Sequence, residues 1–318
     1  GVAQGAIFTP RRVSPGRLVA GSQGGWGEIG RRTVQPSGRM PSRQQGRAHL
    51  LALLVCYSAQ AANAPSLLDG VLYAWGAEEA LGEPADADGK PVEVTGLDNA
   101  VARVAAGKDH SVVLRSSGSV FTFGSGLRGQ LGHGDRVTRS VATRVASSLI
   151  GSNVALVSAG TYFTTVVKLD SSSTPGSEGG PAWQLYAWGV NDWGQLGIGS
   201  YSNDVYDTPR SVSSLSSIAL SHAGSPGHVA ELVSGARHTV AVMRDGRTFG
   251  WGANQYGALG QACPAPQTVA TPGCVAVRPQ VLSLGDVRVA RAALGLDYSV
   301  LLSQDGELWS SGKNSVGQ

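Results

Sequence analysis

The chain has 318 residues, 45 of them glycine, and 15% of its residues are charged. Glycine in a helix interior costs about 1 kcal/mol against alanine, so this composition excludes a helical bundle. The glycines follow no every-third-residue spacing, which excludes collagen. A net charge of +3 invites a nucleic-acid reading, but the charge is unevenly spread. Residues 1–61 hold eight arginines (Arg11, Arg12, Arg17, Arg31, Arg32, Arg39, Arg43, Arg47) against Glu28, a net of +7. Subtracting these from the totals of 25 and 22 leaves 17 basic and 21 acidic residues in 62–318, a net of −4. The basic character belongs to the leader, so no nucleic-acid partner is expected.

In chain order, residues 1–39 are rich in Gly, Ser and Arg without apolar periodicity and read as a disordered leader. From Met40 a basic start, an apolar stretch of about ten residues and the small-x-small site Ala59-Gln60-Ala61 read as a secretory signal peptide over 40–61. An organelle transit peptide and translated non-coding sequence are the alternatives. The stretch is shorter than the roughly 20 apolar residues a membrane span needs. A secreted or lumenal address follows from the signal reading.

Beyond residue 62 an internal repeat organises the chain. An aromatic-glycine anchor recurs at Trp75-Gly76, Phe123-Gly124, Trp188-Gly189 and Trp251-Gly252, with a worn copy ending at Gly312. After three anchors the sequence continues G-x-[NG]-x-x-G-x-L-G, at 124–132, 189–197 and 252–260. A second element precedes each later anchor: V-A-R-V-A-A-G-K-D-H-S-V-V-L at 101–114, and its relatives at 154–167, 229–242 and 289–302. Short apolar runs bounded by glycine read as strands. Arg244-Asp245-Gly246 and Gln304-Asp305-Gly306 supply the hairpin turns. One unit is therefore about four short strands, and a single unit cannot bury both of its faces, so units must stack. The anchor glycine suits a bulge or a close backbone approach. Length variation falls in expected loops at 171–183, 200–228 and 261–280.

The last of these loops holds Cys263 and Cys274. A disulfide between them would close a twelve-residue ring worth about 3 kcal/mol in the chain-entropy model; two free cysteines are the other reading. The loop has no His, Asp or Glu, so zinc lacks ligands. His110 and His238 share one slot of the repeat with Phe163 and Tyr298, which marks a packing position and not a catalytic one. His222 and His228 fit no one-face metal pair. The glycine-rich tails lack the Gly-Lys-Ser/Thr ending of a phosphate loop. No catalytic residue, metal site or cofactor is expected, and the chain reads as a non-enzyme.

What varies between copies is the pair of tail positions before the second glycine: Leu127 and Arg128, Asp192 and Trp193, Gln255 and Tyr256. Trp, Tyr and Arg are enriched in interface hot spots, so these six are candidate protein-binding residues; packing against the next unit is the alternative.

The G-x-x-H-[ST]-x-x-[LV] element, an Asp-Gly turn and a W-G-x-N-x-x-G-Q-L-G strand together resemble the regulator of chromosome condensation repeat, most fully over 235–260 and 186–199. The resemblance covers residues 71–318 and implies an all-β propeller of four-stranded blades, typically seven. Four units and a broken fifth lead to an expectation of an incomplete set of about four to five blades. Exposed edges would then make 62–318 alone poorly soluble. The resemblance implies a protein-interaction propeller, or alternatively a guanine-nucleotide exchange factor for a Ran-like small GTPase. Photoreceptors of similar fold carry a tryptophan between Gly and Arg of a repeated motif, where Gly235-Ala236-Arg237-His238-Thr239 has alanine.

Overall fold

A computed structural model describes residues 52–55, 72–75, 92–97, 100–169, 183–212, 229–261, 274–282 and 284–315. These residues form strands and turns, with no α-helix among them. The first sheet holds β1 (Ala52–Val55), β2 (Leu72–Trp75) and β3 (Val92–Glu93). Three four-stranded meanders follow. The second sheet is β4 (Val101–Ala106), β5 (His110–Arg115), β6 (Val120–Gly124) and β7 (Arg139–Arg144). The third is β8 (Val154–Ala159), β9 (Phe163–Leu169), β10 (Trp183–Asn191) and β11 (Ser202–Val212). The fourth is β12 (Val229–Ser234), β13 (His238–Met243), β14 (Thr248–Ala253) and β15 (Val275–Val281). The last sheet holds β16 (Val289–Leu294), β17 (Tyr298–Ser303) and β18 (Leu308–Gly312). All pairings are antiparallel between strands adjacent in sequence. These sheets are propeller blades, one per repeat unit.

The first strands β4, β8, β12 and β16 are neighbours in space, so they line the inner edge of the arc. Each carries a register shift at the same place, between Val101/Arg103, Val154/Leu156, Val229/Glu231 and Val289/Arg291. The alanine inside each shift (Ala102, Ala155, Ala230, Ala290) is a repeated β-bulge, which adds twist where the inner strand bends. In the second, third and fourth sheets the second and third strands are largely buried on both faces. All six residues of β13 and all six of β14 are buried, which explains their continuous apolar runs.

In the third and fourth sheets the fourth strand stands where a loop is expected. β11 occupies 202–212 and β15 occupies 275–281, inside segments read as insertions, and Trp183 opens β10. These outer strands alternate weakly and carry Pro209 and Pro279. An edge strand faces solvent with one row of backbone groups, so it tolerates polar side chains and proline that an inner strand would reject.

Cores fill the space between successive sheets. Val113 and Phe123 pack with Leu72 and Ala74 of the first. Val112, Leu114 and Val120 pack with Val157, Val166 and Trp188 of the third. Phe163, Leu185 and Leu196 pack with Val240 and Trp251 of the fourth, and that cluster extends to Val289 and Leu301. Each buried aliphatic or aromatic side chain contributes about 1.5–3 kcal/mol.

Candidate protein-interaction face

Among the described residues, a glycine turn closes one end of the second, fourth and fifth sheets, at Gly118, Gly246 and Gly306. The hairpin turn Met243–Arg247 is closed by Gly246 N–H to Met243 O (2.9 Å) and Met243 N–H to Arg247 O (2.8 Å), with Gly246 at φ +83°. This turn lies at the opposite end of the blade from the slot histidine.

At the candidate end, Gly107, Gly235, Gly160 and Gly295 lie under the rings of His110, His238, Phe163 and Tyr298; a Cβ on any of them would enter the ring. The two histidines are buried, and each reaches the next blade. The Thr164 hydroxyl donates to Gln130 O (2.8 Å), so its oxygen accepts from His110 Nε2–H at 3.0 Å. The Ser299 hydroxyl donates to Ala258 O (2.7 Å), so it accepts from His238 Nε2–H at 3.0 Å. This proton count places the hydrogen on Nε2 and leaves Nδ1 against the glycine. Burial lowers the pKa of His110 to about 3 and that of His238 to about 4, so both are neutral at pH 7. The slot is a structural bridge between blades, as its exchange with Phe163 and Tyr298 suggests, but with a donor role that Phe163 lacks.

The tails lie across the blade junctions. Trp188 donates Nε1–H to Gln130 O (2.9 Å) and covers Gly132, where a Cβ would stand 2.6 Å from Nε1. Asn254 closes its tail by accepting from Leu259 N–H (2.8 Å), and Asn191 does the same for Leu196 (3.2 Å). Gln130 and Gln195 accept through Oε1 from the N–H of Arg128 and Trp193 (2.8 Å each). The variable side chains therefore stand on tightly bonded loops.

Those side chains pair with partners that the sequence did not reveal. Arg128 stacks on the Tyr162 ring at 4.6 Å. Lys108 approaches the same ring at 5.2 Å and donates to the Tyr162 hydroxyl at 2.8 Å, which raises the lysine pKa. Arg237 stacks on Trp193 at 5.4 Å, and Lys313 on Tyr256 at 5.2 Å. The Arg128, Trp193 and Tyr256 contacts join one blade's tail to a turn or anchor of the next, and the Lys108 contact joins two successive turns. Leu127 and Tyr256 are exposed, Trp193 is half-buried and Asp192 is held by Gln195 Nε2 at 2.8 Å. Beneath them, backbone bonds link successive turns: Lys108 N–H to Thr161 O, Thr161 N–H to Ala236 O and Ala236 N–H to Gly295 O. The result is a cation–aromatic contact at each of three successive blade junctions, all on the same end of the blades. Tyr162 and Arg237 fall two residues after their repeat glycine, a position whose side chains point out of the turn; that offset was the available signal.

Trp188, Trp251 and Phe123 are fully buried structural anchors, and Gly124, Gly189 and Gly252 adopt φ between +98° and +109°. The Trp75 side chain, Gly76, Cys263, His222 and His228 lie outside the described residues.

Comparison with known proteins places this arrangement. The regulator of chromosome condensation (RCC1) repeat profile matches residues 69–114, 117–167, 184–242 and 245–302. The ultraviolet-B receptor UVR8 of Arabidopsis thaliana is 30% identical over 226 residues, covering 71% of this chain and 44% of that protein. The E3 ubiquitin-protein ligase HERC2 of Homo sapiens is 26% identical over 313 residues, covering 96% of this chain and 6% of that protein. The solved structure of Prp20p from Saccharomyces cerevisiae superposes with a TM-score of 0.58 at 19% identity, covering 76% of this chain and 54% of that one. The chain spans less than half the length of these curated relatives.

Proposed function

The chain belongs to the regulator of chromosome condensation (RCC1) repeat family, and from that premise we propose that it is a non-catalytic propeller that binds another protein through the cation–aromatic rim. The observation that carries this reading is the contrast between layers. Glycines, slot residues and anchors repeat from blade to blade, whereas Arg128, Trp193, Arg237, Tyr256 and Lys313 differ while meeting at the junctions on one end of the blades, Arg128 and Tyr256 exposed and the other three half-buried. Stacked Arg, Trp and Tyr side chains are already ordered, so a partner would meet them at low entropic cost.

The chemistry of this face is the same at a secreted or lumenal address and at a cytosolic or nuclear one. The pairing of Cys263 with Cys274 belongs to the proposal; it is supported by the burial of Cys274 at the start of β15 and its engagement in a disulfide. Guanine-nucleotide exchange on a Ran-like small GTPase is the alternative implied by family membership.

The test compares partners captured by the wild-type chain, by Arg128→Glu/Arg237→Glu/Lys313→Glu, and by Arg103→Glu/Arg244→Glu at the other end of the blades. Partners lost only with the rim variant, at unchanged melting temperature, support the reading. Partners that survive the rim variant and vanish with the control overturn it. Accelerated GDP release from a panel of GTPases would select the alternative.

A further inference from the structure

The apolar stretch read as the core of a signal peptide plays no part in the binding rim, yet the structure gives it a place. β1 pairs with β2 as Ala52↔Trp75, Leu53↔Ala74, Leu54↔Tyr73 and Val55↔Leu72. β2 carries the first anchor, and in every other blade the strand at that position beside the anchor strand is the one that opens on the slot residue: β5, β9, β13 and β17. β1 therefore occupies the slot-strand place of the first blade.

The sequence around it carries that strand's signature. Gly46-Arg47-Ala48-His49-Leu50-Leu51-Ala52-Leu53-Leu54 aligns without a gap on Gly235-Ala236-Arg237-His238-Thr239-Val240-Ala241-Val242-Met243, matching the glycine, the histidine and Ala241. In complete blades the slot residue stands opposite the anchor glycine, as His238↔Gly252 and His110↔Gly124. β1 is offset from that register by two residues, a shift that keeps every residue on its own face of the sheet. Farther upstream, Trp26-Gly27-Glu28-Ile29-Gly30 has the form of the tail Trp193-Gly194-Gln195-Leu196-Gly197. The alignment with HERC2 also covers 96% of the chain, so most of residues 1–61 fall within it. A removable leader has no physical reason to match a propeller or to pair with an anchor strand.

We propose that residues 52–55 are part of the slot strand of the first blade, retained in the mature protein, and that residues 40–61 do not serve as a cleaved export signal. The two readings share one sequence signature for a physical reason. A slot strand buried on both faces is a continuous apolar run, as β13 is, and a signal core is also a short apolar run. Composition cannot separate them; pairing and motif can. Whatever address the protein has is then set by sequence other than 40–61.

The test uses the full chain with a C-terminal tag, recovered from cells and mapped by peptide mass spectrometry. Peptides spanning 46–61 should be present in the tagged protein. A mature chain starting at Ala62 overturns the proposal, as does export of a reporter fused to residues 40–70. Stability gives a second readout: Leu53→Asp should lower the melting temperature of the recovered protein by several degrees, because a strand contributes to the fold and a removed leader does not. An unchanged melting temperature overturns the proposal.

Discussion

Trp251 of β14 donates its indole Nε1–H to the main-chain carbonyl of Gln195, 3.0 Å away in the tail of the preceding blade. The two residues are 56 apart in sequence, so this bond ties one repeat to the next. The tail of one unit and the anchor of the following unit thus form a single structural joint.

Trp251→Phe keeps an aromatic ring, smaller than the indole, and removes the donor. The Gln195 carbonyl loses that bond, which costs about 1–3 kcal/mol. Trp251→Ala also opens a cavity and should cost about 3–5 kcal/mol. The midpoint of urea unfolding, followed by circular dichroism, should fall in that order. Equal losses for the two variants would mean that the hydrogen bond, and not packing, holds the joint.

Two glycines with left-handed backbone separate strain from crowding. Gly306 has φ +83° and open space where a Cβ would stand; Gly252 has φ +100° and a Cβ there would run into the Arg237 carbonyl oxygen. Gly306→Ala should cost about 1–2 kcal/mol from backbone strain alone. Gly252→Ala must also displace the turn that carries Arg237, so a loss of about 3 kcal/mol or more is expected. Thermal unfolding of the two single variants measures the difference, and equal losses would refute the crowding argument.

That contrast also shows where sequence reading reaches its limit. The anchor glycine was legible as a close approach because it recurs beside an aromatic residue. The atom it approaches was not, because Arg237 lies 15 residues earlier and meets it only through the β13–β14 register. The slot of His110 was legible as packing from its exchange with Phe163. Its bond to Thr164 was hidden, since that hydroxyl belongs to the next unit, 54 residues on. The outer strands β11 and β15 were read as loops because one solvated edge leaves no apolar period. Contacts within a unit repeat and can be read; contacts between units connect residues too far apart in sequence for periodicity to show.

The buried histidines make stability depend on pH. Their folded pKa values, about 3 for His110 and about 4 for His238, lie below the unfolded value near 6.5. Between those limits the unfolded chain binds more protons, so stability rises with pH there. The contribution is complete above about pH 6.5 and is lost as the pH falls toward 4. His133, lowered to about 4 mainly by burial, acts in the same window. His110→Phe/His238→Phe should have a lower melting temperature at pH 7, because the Nε2 bonds are gone. It should also show a flatter dependence of melting temperature on pH between 4 and 6.5. A slope equal to that of the wild type would show that these imidazoles do not control acid unfolding.

The rim contacts give a prediction on a smaller energy scale, and it decides what the rim is for. Arg237 stacks on Trp193 across a blade junction, and both side chains are half-buried, so a double-mutant cycle with Trp193→Ala and Arg237→Ala should return a coupling of about 0.5–1 kcal/mol. That is small beside the joint at Trp251 and Gln195. If the rim existed to hold blades together, its residues would repeat as the anchors do, and the coupling would approach the cost of losing an anchor. A coupling of several kcal/mol would assign the pair to the fold. A coupling below 1 kcal/mol, together with loss of a partner on Arg237→Ala while the melting temperature falls by no more than about 2–4 °C, assigns it to recognition.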